Sequence, residues 1–65
     1  MNKIERYYKE VKQKDKALVR IAINTVDNVN SDIITSRNAI NAVESLGYDD
    51  LAYYLELLDN GYTYN

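Results

Sequence analysis

A chain of 65 residues with no cysteine and no histidine has no disulfide staples or thiolate metal sites, and it lacks the side chain most often used as general base or transition-metal ligand. A domain this small draws only about 3–5 kcal/mol from a single core, so association with a second copy is as natural an expectation as a monomer. Net charge is only −2, but residues 1–20 hold seven basic and three acidic groups while residues 21–65 hold Arg37 and seven acidic groups. Such asymmetry suits a polyanion-binding face, an acidic partner-binding face, or attraction within the fold.

The first half, about residues 2–29, reads as one long amphipathic helix. At 100° per residue Ile4, Tyr7, Tyr8, Val11, Leu18, Ala22, Thr25, Val26 and Val29 share one side, and Arg6, Lys9, Lys12, Lys16 and Arg20 line the other. No proline or glycine interrupts it, and only Asp15 intrudes on the stripe. A break at Gln13-Lys14-Asp15, with Asp15 capping a second helix, is the competing reading. The stripe keeps its phase across that point, which favours continuity. Such a helix would be roughly 40 Å long, so two later segments must lie along it, or a second copy must.

Asn28-Val29-Asn30-Ser31-Asp32 is the first punctuation, because short polar side chains compete with helical backbone bonds. A second helix over about 32–46 puts Ile33, Ser36, Ala39, Ile40, Val43 and Leu46 on one face, leaves Ile34 off it, and ends at Gly47. A third, about 50–59, presents Leu51, Tyr54, Leu55 and Leu58 to a core and places Tyr53 and Leu57, four apart, on another face. Gly61 ends it. Leu46-Gly47-Tyr48 ahead of a helix resembles the hydrophobic-Gly-aromatic loop of ubiquitin-associated domains over some twenty residues. That family needs a further helix where four residues follow Gly61 here, so its function is not carried over.

Two surfaces are candidates for function. The acidic, aromatic last third gathers Tyr53, Leu57, Tyr62 and Tyr64 with Asp49, Asp50, Glu56 and Asp59 around them. Tyrosine suits interfaces because it buries a large area at small entropy cost and keeps a polar tip, and a core has little room for Tyr53, Tyr62 and Tyr64 together. The basic stripe Arg6, Lys9, Lys12, Lys16 and Arg20 has the spacing to follow a phosphate backbone, with Tyr7 and Tyr8 available to stack on bases; a solvated outer face explains it as well.

Enzyme chemistry finds little footing. Asp49 and Asp50 fit helix capping. Asp27, Asn30 and Asp32 fail the calcium-loop spacing, with Val29 at the third position and Asp32 where glycine is required. With two glycines there is no phosphate-cradling loop. No apolar run approaches the roughly 18 residues of a membrane span, and no signal-peptide segment is present.

The expected protein is therefore an all-α, three-helix domain, its long first helix flanked by a two-helix hairpin, as a monomer or a dimer. The leading expectation is a non-enzymatic, cytoplasmic protein-binding module with no cofactor and no membrane association. Its Asn-, Ile-, Lys- and Tyr-rich composition fits a small phage- or plasmid-type modulator or inhibitor of a host protein. A nucleic-acid binder using the basic stripe and a purely structural homo-oligomer are the alternatives.

Overall fold

Asp15, the one acidic residue on the apolar stripe, is where the first half of the chain bends. The computed structural model describes residues 3–28, 30 and 32–61. Among these, α1 is Lys3–Tyr8, a short 3-10 turn covers Gln13–Asp15, and α2 is Lys16–Asp27. α3 is Ile33–Ser45 and α4 is Asp49–Asp59. The all-α class is as expected. The continuous helix over 2–29 is not formed: the chain fits within 28 × 24 × 16 Å, shorter than that helix would be.

The break has a local cause and a tertiary one. After Tyr8 the backbone tightens into three-residue bonds, with Glu10 N–H donating to Tyr7 and Val11 N–H to Tyr8, and Lys12 turns extended at φ −61°, ψ 144°. The Tyr48 hydroxyl, from the far end of the sequence, accepts the Lys12 N–H at 3.2 Å and donates to Asp15 Oδ2 at 2.5 Å. Asp15 is only 8% exposed. In a straight helix its carboxylate would sit in the apolar stripe with no donor opposite, and a buried charge without partners costs several kcal/mol. Asp15 does precede α2, but its side chain makes no cap bond. One of its oxygens takes the Tyr48 hydroxyl, and Lys14 Nζ lies 3.6 Å from the other.

Bending also re-phases the stripe. Val19, Ala22, Ile23 and Val26 are buried on α2, whereas Leu18, which the continuous helix places at the stripe's centre, is 49% exposed. α1 doubles back to cover α4, and its Ile4, with Val11 just beyond it, joins Leu51, Ala52 and Leu55 in the core.

The hairpin of α3 and α4 follows the expected boundaries within a residue or so. Asp32 caps α3 by accepting the Thr35 N–H at 2.7 Å, which holds its carboxyl below the usual carboxylate range. Gly47 at φ 95° closes α3 in the left-handed conformation, with Gly47 N–H bonded to the Glu44 carbonyl and Tyr48 N–H to that of Val43, the paired pattern of a Schellman end. Ser36, Ile40 and Val43 are buried as the spacing predicts; Ile33 and Ile34 are exposed. In α4, Leu51 and Leu55 are fully enclosed, each worth roughly 1.5–3 kcal/mol of transfer free energy.

Two expectations follow. Leu55→Ala should cost about 2–5 kcal/mol, enough to unfold a domain of this size, whereas Leu18→Ala should fall within about 0.5 kcal/mol of the parent; thermal or urea unfolding followed by circular dichroism reads both. The bond to Asp15, together with burial, raises the Tyr48 pKa above its ordinary 10.0. A group whose folded pKa is raised contributes stability that is complete below its unfolded pKa and is lost as pH rises through the folded value. Urea midpoints measured from pH 8 to 11.5 should therefore fall more steeply for the parent above about pH 10 than for Tyr48→Phe, which should be the weaker fold at neutral pH.

Candidate functional site

The outer side of α4 carries the residues that the sequence nominates for a partner. α4 reads Asp-Asp-Leu-Ala-Tyr-Tyr-Leu-Glu-Leu-Leu-Asp, so its inward positions are apolar and no basic residue balances its acids. Tyr48 rather than Asp49 or Asp50 occupies the N-cap position, and it makes no side-chain cap bond. Asp49 and Asp50 fall in the first turn, both exposed, where the positive end of the helix dipole favours them.

Tyr53 is 57% exposed, and its ring is braced. It meets Tyr54 edge-on with centroids 5.3 Å apart, and Tyr54 stacks on Tyr7 of α1 at 5.4 Å and 21°. Lys3 Nζ reaches the Tyr54 hydroxyl at 3.4 Å and lies 5.4 Å from the ring centre. An aromatic held this way presents area to a partner with little side-chain entropy left to lose. Beside it, Glu44, Asp49, Ala52, Tyr53 and Glu56 line one shallow concavity, which brings three carboxylates, one aromatic ring and one methyl group together. Among the described residues no three carboxylates converge closely enough to hold a metal ion.

Glu44 is the member that sequence reading missed. It comes from α3 and reaches the site only because the hairpin sets α3 beside α4. Its signal lay in sharing a flank of α3 with Arg37, seven residues earlier. Arg37 pairs with Glu56 at 3.3 Å and with Asp59 at 3.9 Å, so the acidic surface is partly neutralised at its C-terminal end. Leu57 is half-buried. Tyr62 and Tyr64 lie outside the described residues.

The basic residues do not form one stripe. Arg6, Lys9 and Lys12 are exposed, and Arg6 and Lys9 with Tyr7 and Glu10 line an open depression at the C-terminal end of α1. The other two turn inward on Tyr8. Lys16 Nζ lies 4.5 Å from the Tyr8 ring centre and donates to the Tyr8 carbonyl at 3.2 Å; the Arg20 guanidinium lies 4.2 Å from the same ring. One Arg20 nitrogen reaches both oxygens of Glu5, at 3.1 and 2.8 Å. That bond raises the Arg20 pKa. The five cations would be collinear only on the straight helix that Asp15 and Tyr48 prevent.

No helix among the described residues is long and apolar enough to cross a membrane. In comparison with known proteins the chain matches no protein-family model, no curated protein and no solved structure.

Because Glu5 and Arg20 are part-exposed, their pair is worth only about 0.2–1 kcal/mol, but it ties α1 to α2. In Glu5→Gln, amide hydrogen exchange should quicken selectively in α1 while the centres of α3 and α4 keep their protection; uniform quickening would show that the pair supports the whole fold.

Proposed function

We propose that this protein is a non-enzymatic binding module that takes a basic segment of another protein on the outer face of α4. The observation that supports this most is the braced, exposed Tyr53 beside the concavity of Glu44, Asp49 and Glu56. A lysine or arginine side chain entering the concavity would meet carboxylates from two helices and pack its methylenes on the Tyr53 ring and the Ala52 methyl. Cation and aromatic face attract, and the charge-assisted bonds are roughly twice as strong as neutral ones. Leu57, Asp50 and Asp59 extend the surface along the helix. Acidic charge around an aromatic anchor also raises the association rate with a basic partner, which suits a small modulator that occupies a partner's basic site.

The test is a comparison of proteins retained by the immobilised parent and by Tyr53→Ala and Glu44→Gln/Asp49→Asn variants, with circular dichroism to verify folding. Tyr53→Ala should lower affinity for a retained basic partner by about tenfold or more, the scale of an aromatic hot spot, and the carboxamide pair should flatten the dependence of binding on salt. A partner held equally by all three forms would end the proposal.

A further inference from the structure

The two flanks of the α2–α3 hairpin that face away from α1 and α4 form one uncharged, partly apolar surface. Lys16 and Arg20 of α2 turn to Tyr8 and Glu5 of α1. At 100° per residue Leu18, Ile21 and Thr25 therefore lie on the opposite flank. On α3 the pairing of Arg37 with Glu56 and Asp59 fixes the side toward α4, so Ala39, Ala42 and Leu46 lie on the side away from it. α2 and α3 are consecutive and share the most extensive helix contact in the fold, which sets the two flanks edge to edge. Leu18 is 49%, Ile21 62% and Leu46 37% exposed, and Thr25, Ala39 and Ala42 are half-buried. The positions filling the flanks are Asn, Ser, Thr and Ala, with no acid or base among them.

From this we infer that the α2–α3 face binds a second copy of the chain across a two-fold axis, giving a four-helix layer at the centre of a dimer. Charge selects that occupant. A two-fold contact sets each patch against itself, so a patch bearing net charge repels its copy. On this molecule the exposed part of α1 is basic and the outer side of α4 acidic, and the α2–α3 face alone is neutral. A partner of other chemistry would be steered to the charged surfaces. Ala39 and Ala42 keep the α3 flank low, so that Leu18 and Ile21 of the other copy can approach the backbone as knobs between helices. A two-helix face about 18 Å long and about 20 Å wide covers about 360 Å² per copy, about 720 Å² in all, less than the roughly 1,000 Å² of a stable specific interface, so the dimer should be weak, dissociating in the upper micromolar range rather than obligate. The inference does not rest on the reading of the α4 surface, which a dimer on α2 and α3 leaves open twice.

Light scattering and sedimentation from about 5 to about 500 μM, a range that brackets micromolar association, should show the mass rising from 7.5 kDa toward twice that value. Ile21→Glu, at a position exposed enough to leave the core intact, should remain at 7.5 kDa throughout with unchanged helicity. A parent that stays monomeric at the top of the range, or an Ile21→Glu variant that associates like the parent, would overturn the proposal. If the variant loses helicity, the parent alone decides. In a half-labelled sample, nuclear Overhauser effects between copies should join Leu18, Ile21 and Ala42, and effects confined to α4 residues would refute the assignment. Loss of partner capture in Tyr53→Ala bears on the α4 surface only, so the two readings fail separately.

Discussion

One hydroxyl group holds the two ends of the sequence in register. The Tyr48 Oη accepts a hydrogen bond from the Lys12 backbone and gives one to the buried Asp15 carboxylate, so the bend in the first half and the turn between α3 and α4 are fixed on each other. The geometry is local to three residues, yet much depends on it. Unless the chain bends here, α1 cannot return to α4, Val11 and Ile4 cannot cover Leu51 and Leu55, and the Tyr7–Tyr54 stack cannot form. Tyr48 is placed for this role by Gly47, whose positive φ lets the chain leave α3 and start α4 with three residues between them.

The bend also decides what is left on the surface. α1 brought back over α4 draws Lys16 and Arg20 onto Tyr8 and so removes two cations from the outer face of α2. It buttresses Tyr54 from below, which leaves Tyr53 as the tyrosine presented outward on α4. The hairpin of α2 and α3 then has one side against the remaining helices and one side without charge. Basic, acidic and neutral surfaces thus occupy different sides of a molecule only 28 Å in its longest extent.

The second half of this fold was legible because its punctuation is chemical. Asp32 can cap and Gly47 can adopt positive φ, and the Ile40–Val43 and Leu51–Leu55 spacings have no competing phase. The first half misled because helix propensity is nearly uniform from Asn2 to Val29 and carries no tertiary information. The contrary signal was Asp15, a carboxylate on an apolar stripe, but its resolution required Tyr48, which lies 33 residues away and cannot be assigned by periodicity. The site divides in the same way. Tyr53 was visible as an aromatic off the core phase of its own helix, whereas Glu44 joins it from another helix, and the inward turn of Lys16 and Arg20 follows from a bend that their spacing alone does not encode.

The Tyr7–Tyr54 stack bears on how the chain assembles in time. α2 and α3 meet across a connection of five residues, 28–32, so their pairing closes a short loop and loses little chain entropy. Joining Tyr7 to Tyr54 closes a far longer loop, residues 7–54, and this contact is rewarded only once α4 already lies on α3. α1 is therefore the last segment to dock and the first to leave. Its departure uncovers Leu51 and Leu55 while the α2–α3 pair persists, which makes the aromatic stack a latch on a nearly finished globule rather than part of its nucleus.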